Sequence, residues 1–202
     1  MNKFNETEFN RISSMFDEVP YLRDITLHYS GSNYFNTIKR SVDKDRCGEV
    51  VFAVIRPNGK IISVTCDEYP KGIFRIPTGG IKHGEDILKA LLREIKEELG
   101  IEVDIIKFPG VLKINFEYEN QSVVFFSYIF ILKETSGRLL ADATDDEISE
   151  VREVNAEELR QIVGRLDRIS GKWSDWGKFR SLTSNAVLEY IEASGLDAAT
   201  GE

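Results

Sequence analysis

The chain has 202 residues, a net charge of −8 and the apolar and charged fractions of an ordinary globular protein. That length suffices for one full core with additions at its ends, and the acidic balance argues against binding the nucleic-acid backbone, which needs a basic footprint. Two cysteines, Cys47 and Cys66, are too few for a disulfide framework and fit no zinc spacing, which points to a reduced, cytoplasmic protein.

Residues 1–45 show no sustained period. Their polar, acidic start does not read as a signal peptide. A short helix is expected near Glu6–Phe16, and "YSGSNY" is expected to be a loop. We read this segment as an N-terminal extension that serves as a lid, completes a pocket or pairs two subunits in a homodimer. "EVVFAVIR", "PNGK" and "IISVTCD" then read as a β-hairpin around a Pro-Asn-Gly turn. "GIFRIP" is expected as a third strand that Pro77 stops, and "TGGIKHGE" as a glycine-rich loop.

From Glu85 to Leu99 the pattern turns helical, with Leu88, Leu91, Leu92, Ile95 and Leu99 on one face and Gly100 as the stop. "VLKINFEY" and "SVVFFSYIFIL" read as strands around the turn "ENQ", and "ISEVREV" as another. "NAEELRQIV" is a helix capped by Asn155. The last helix carries Phe179, Leu182, Ala186, Val187, Tyr190 and Ile191 on its inner face. No apolar run approaches the roughly 20 residues of a membrane span, so no membrane partner is expected. The order predicts an α/β protein with a mixed sheet and helices packed on it. It divides into an extension (1–45), a central domain (46–164) and a C-terminal helical tail (165–202) packed on the core.

One stretch violates helix electrostatics. Glu94, Glu97 and Glu98 crowd the last turns of the helix ending at Leu99, where the macrodipole disfavours anions. Carboxylates three and four residues apart also repel, by about 0.2–0.5 kcal/mol per pair. At about 100° per residue the three fall on one flank, beside a stripe of Leu88, Leu92, Ile95 and Leu99, with Arg93 and Lys96 outside it. A shared hard divalent cation would relieve the repulsion. The bland alternative is a solvated acidic face.

The spacing upstream favours the cation. Gly79, Glu85, Arg93-Glu94-Ile95, Glu97-Glu98 and Gly100-Ile101 lie at fixed intervals over 23 residues. At all nine defined positions this segment resembles the signature of the Nudix hydrolases, which cleave nucleoside diphosphates linked to another moiety. The resemblance implies an α/β/α sandwich with a mixed sheet. It also implies Mg2+ or Mn2+ held by Glu94, Glu97, Glu98 and the carbonyl of Gly79. Arg93 would orient the glutamates, Glu85 would brace the loop, and Gly80, Gly84 and Gly100 would shape the box. The reaction implied is attack of water on a pyrophosphate phosphorus of a small nucleotide. Glu94 is the first candidate for general base, with Glu147 or Glu150 of "ATDDEISE" as the alternative.

Substrate signals are thinner. Thr78 and Lys82 stand where many members carry Gly and Glu. Tyr118 lies 17 residues beyond Ile101, where a tyrosine would stack on a base, although aromatics are ordinary in such a strand. Trp173, Trp176 and Phe179 form either a base wall, with Arg180 for phosphate, or the anchor of the last helix. "DKDRCGEV" fails as a calcium loop because Cys47 and Val54 occupy ligand positions, and no P-loop is present. The rival function is a Nudix-like sensor or regulator that binds a nucleotide metabolite without cleaving it.

Overall fold

The computed structural model describes residues 4–141, 143–144 and 147–196. Its elements, in chain order, are α1 (Glu6–Ser13), β1 (Tyr21–His28), α2 (Ser32–Lys44), β2 (Arg46–Ile55), β3 (Ile61–Thr65), β4 (Thr78–Lys82), α3 (Ile87–Glu98), β5 (Ile101–Tyr118), β6 (Gln121–Gly137), β7 (Glu150–Val154), α4 (Ala156–Asp167) and α5 (Ser174–Ser194). Seven strands form one sheet in the order β1-β5-β6-β2-β3-β7, with β4 added against β2. The β1–β5 and β2–β6 pairs are parallel and the others antiparallel, so the sheet is mixed.

The period of two along β2 builds both cores. Val50, Phe52 and Val54 join Ile87, Leu91, Ile95 and Leu99 of the α3 segment on one face. Val51 and Ala53 join Leu159 and Leu166 of α4 and Phe179, Val187 and Ile191 of α5 on the other. The result is the expected α/β/α sandwich. No helix among the described residues is long and apolar enough to cross a membrane.

Several local expectations are corrected. "GIFRIP" is not a strand but makes a single bridge, Arg75 to Val64, because Pro77 has no N–H to continue the pairing. The first half of "TGGIKHGE" is not a loop. Thr78–Lys82 pairs antiparallel with β2, and its glycines serve close packing rather than a turn. "YSGSNY" is a loop only to Gly31, and Ser32 opens α2. The missing local cap comes from Asp175 of α5, which accepts from Ser30 N, Ser30 Oγ and Gly31 N, each at 3.1 Å. Asp175 is buried. Asp175→Ala leaves two main-chain donors without their acceptor, and denaturant unfolding is expected to read a loss of about 1–3 kcal/mol.

Residues 6–44 contribute two helices and an edge strand to the fold itself, with β1 aligned along eight residues of β5. Edge strands lack a full apolar alternation, which hid β1. β5 begins at Ile101 rather than near Val111, and its register slips around Pro109, where a proline cannot donate. α4 runs past Gly164 to Asp167. α5 is buried on more than one side. Leu188 and Trp176 are inside, whereas Leu182 and Tyr190 are only half-buried. Gly177 explains the close α4–α5 crossing, since a Cβ there would stand 2.5 Å from the Leu166 carbonyl.

Candidate functional site

β4 and α3 lie side by side, and the site grows from their contact. Asp86 caps α3 by accepting from Lys89 N at 3.0 Å, and Gly84 turns the chain at φ +78°. The buried face of α3 runs through Ile87, Ala90, Leu91, Ile95 and Glu98. Leu92, placed on that face by the sequence pattern, is instead 49% exposed. The true face is therefore rotated, and it carries Glu98 inward to 7% exposure. Glu94 is mostly buried and Glu97 half-exposed.

Arg93 lies outside the glutamate arc by backbone angle, but its long side chain swings into it. Nε and Nη2 donate to the two oxygens of Glu85 at 2.8 and 2.9 Å. Nη1 donates to Glu94 at 2.7 Å and to Glu97 at 2.9 Å, and Nη2 also reaches the Gly80 carbonyl at 2.9 Å. Glu85 in turn accepts from Lys82 N at 3.0 Å, so one guanidinium ties loop, strand and helix together. Gly79 closes the contact from below. A Cβ there would stand 2.1 Å from Glu94 Cγ. Gly100 leaves α3 at φ +69°, and a Cβ on Gly80 would meet the Arg46 guanidinium at 3.0 Å.

The electrostatics split these carboxylates. Bonds from Arg93 hold Glu85 below the ordinary carboxylate range. Its stabilising contribution is present above that range and is lost as pH falls through the lowered value. Burial pushes Glu94 upward, against the pull of Arg93. Ionised Glu94 thus costs stability once pH rises through the ordinary carboxylate value toward its own. Glu94→Gln is therefore expected to leave the protein at least as stable as wild type at pH 7 in chelator, read by thermal melting. A clear drop would mean that the Arg93 contact outweighs burial.

The loop after β6 covers the carboxyl end of α3. Leu140 N donates to the Leu99 carbonyl and Thr144 N to the Glu97 carbonyl, both at 2.9 Å, which satisfies helix-end acceptors. Glu147 follows on this loop and lines a cavity of about 310 Å³ with Cys66, Asp67, Glu68 and Tyr69. Burial raises the Cys66 thiol pKa, and the charges of Glu147 and Glu98 add to the rise, so all three share one neighbourhood. Glu150 sits apart at the start of β7, exposed and paired with Arg152 at 3.0 Å. Tyr118 packs on Phe35 of α2 at 5.9 Å, at the hairpin end. Phe179 is a core ring against Phe116 and Phe125, and Trp176 is buried on Tyr69, which fits the anchor reading.

Arg75, Arg46 and the buried partner of Arg180 escaped the sequence pattern. Arg180 meets the buried Glu49 at 2.8 Å under α5, and Ser127 also donates to Glu49 at 2.8 Å. Arg75 is buried with its guanidinium on Tyr69 Oη, Thr78 Oγ1 and the Ile76 carbonyl. Arg46 lies close enough to Glu94 to pull its pKa down. No local motif announces these partners, which are brought together only by the sheet. His83 bonds the Val42 carbonyl at 2.9 Å, and His28 meets Glu117 at 3.1 Å.

The donor set suits a hard divalent cation, since Glu94, Glu97, Glu98 and the Gly79 main chain offer only oxygen. The absent Cβ at Gly79 is what lets that main chain lie against Glu94. Among the described residues no three acidic, histidine or cysteine side chains are placed so that together they could hold one metal ion. Arg93 holds the oxygens of Glu94 and Glu97 instead.

Comparison with known proteins identifies the family and the fold. The family model described as the NUDIX domain matches residues 46–176. An "8-oxo-dGTP diphosphatase" of Buchnera aphidicola subsp. Acyrthosiphon pisum is 37% identical over 83 residues, 39% of this chain and 60% of its own. An "ADP-ribose pyrophosphatase" of Methanocaldococcus jannaschii is 31% identical over 122 residues, 57% of this chain and 71% of its own. "Nudix hydrolase 10" of Arabidopsis thaliana is 35% identical over 65 residues, 32% of this chain, and the chain spans only 23% of that protein. A NUDIX hydrolase from Nitrosomonas europaea shares the fold, with a TM-score of 0.51 at 17% identity over 72% of this chain and 90% of its own. With the family model covering well over half of its length and the box complete from Gly79 to Ile101, the chain belongs to the NUDIX domain family.

Proposed function

We propose that this protein hydrolyses a pyrophosphate bond in a nucleoside diphosphate linked to a second group, with Mg2+ or Mn2+ as cofactor. The observation that carries the reading is the Arg93 relay. One buried-edge guanidinium holds Glu85, Glu94 and Glu97 within 2.7–2.9 Å, on a box with every signature position filled. A divalent cation on Glu94, Glu97, Glu98 and the Gly79 carbonyl would neutralise the phosphate oxygens and make water acidic enough to attack phosphorus.

The chain's own residues do the rest. Arg93 keeps the carboxylates aimed along one flank. Glu94, raised by burial, is suited to take a proton from the attacking water. Glu147 is the second candidate for that role, because it lines the cavity beside Cys66, whose thiol feels the charges of both Glu147 and Glu98, whereas Glu150 is engaged by Arg152.

The substrate is a small nucleotide. The relatives' names point to two classes, ADP-ribose and oxidised nucleoside triphosphates. A screen with magnesium over these two, nucleotide sugars and dinucleoside polyphosphates tests the reading through the released phosphates. Turnover of at least one class is expected. Tight binding of one of them with no cleavage of any would favour a metabolite sensor instead.

A further inference from the structure

The family match begins at residue 46, yet a helix from outside it touches the box. α1 sets Glu8 against the amino end of α3. Glu8 Oε1 accepts from Ile87 N at 2.6 Å, and its other oxygen is held by Asn5 Nδ2 at 3.0 Å. Arg11 bridges to Asp86 at 2.6 Å, and Asp86 is itself the local cap of α3. The first turn of a helix has four N–H groups without internal partners. Here Asp86 satisfies the one on Lys89, and Glu8 satisfies the one on Ile87 from 79 positions away. Both carboxylates also face the positive pole of α3.

The contact is anchored rather than casual. Ile12 is fully buried in the α3-side core, Phe9 packs on Phe108 at 5.9 Å, and Phe4 packs on Phe126 at 5.5 Å. Glu8 retains 13% side-chain exposure. From there the chain of contacts is continuous. Glu8 and Arg11 hold Asp86 and Ile87, the neighbouring Glu85 holds Arg93, and Arg93 holds Glu94 and Glu97.

We propose that α1 is a positioning element of the box: Glu8, with Arg11, caps α3 from outside the family domain and sets the Glu85–Arg93 brace that aims Glu94 and Glu97. Glu8 touches neither substrate nor cation in this account, so it is not a catalytic residue. The proposal rests on the metal-dependent hydrolase reading only for its consequence, not for the contact itself.

The test uses the full chain with Glu8→Ala, Glu8→Gln and Arg11→Ala. Two readouts separate positioning from mere stability: amide exchange of the segment 84–94, and Mn2+ binding by calorimetry. In Glu8→Ala, segment 84–94 should exchange about five-fold faster, the size of a lost cap, while strands β2 and β6 keep their protection. Mn2+ should bind several-fold more weakly. Glu8→Gln keeps an acceptor oxygen and should restore most of both, and Arg11→Ala should fall between. Unchanged exchange and unchanged Mn2+ affinity in Glu8→Ala, with only a lower melting point, would overturn the proposal. So would loss of protection spread evenly over the whole sheet. If the wild type proves to hydrolyse nothing, the exchange arm still decides whether α1 sets the box, so the two failures remain distinct.

Discussion

Glu98→Gln is expected to lower turnover at saturating magnesium by about 10²–10³-fold, the loss typical of removing one preorganised electrostatic group. It should do so without unfolding the protein. Glu98 is 7% exposed at the carboxyl end of α3, where burial and the macrodipole both disfavour a negative charge. Gln keeps the shape and removes that charge. Added magnesium should stabilise the variant less than wild type. Steady-state kinetics over graded magnesium, beside thermal melts with and without chelator, check both halves. Full turnover in this variant would remove Glu98 from the ligand set.

Gly79→Ala should be equally damaging for a steric reason. Its Cβ would stand 2.1 Å from Cγ of Glu94, 2.4 Å from its Cβ and 2.5 Å from its Cδ. Either β4 leaves β2 or Glu94 leaves the Arg93 relay. The first costs stability, about 1–3 kcal/mol as overpacking. The second costs activity, because the carboxylate leaves the flank it shares with Glu97. Gly84→Ala is the matched control. Its added Cβ meets nothing within 4 Å, so only the left-handed backbone, at φ +78°, resists the change. The expected cost is about 1–2 kcal/mol, with the Glu94 contacts kept. Equal turnover in the two variants would show that the Gly79–Glu94 contact does not matter to the chemistry.

The box was legible because its signals are local. Gly100 after a periodic run, Asn155 before one and the nine positions from Gly79 to Ile101 are all read within one or two dozen residues. The β2–β3 and β5–β6 hairpins were anticipated for the same reason. What stayed hidden depends on partners far along the chain. α2 has no cap of its own, and Asp175 supplies it from α5. The Thr78–Lys82 strand looks like a loop because its glycines serve close packing, Gly79 against Glu94 and Gly80 against Arg46. The rotation of α3 that brings Glu98 inward follows from packing on β2, which no helical wheel contains. Glu8, Arg46, Arg75 and the Glu49–Arg180 pair are likewise assembled only by the fold. The N-terminal residues misled most. The short helix expected near Glu6–Phe16 is α1, but the edge strand β1 and the helix α2 were not anticipated, because neither carries a sustained apolar period.

The central claim is that the carboxylates gathered by Arg93 serve a divalent cation in cleaving a pyrophosphate bond. The most direct measurement is turnover of the preferred nucleotide from the screen, taken with purified protein at saturating magnesium and again in excess chelator. This account expects hydrolysis with magnesium, its abolition in chelator and its return on adding magnesium or manganese. Hydrolysis that proceeds unchanged in chelator would contradict it.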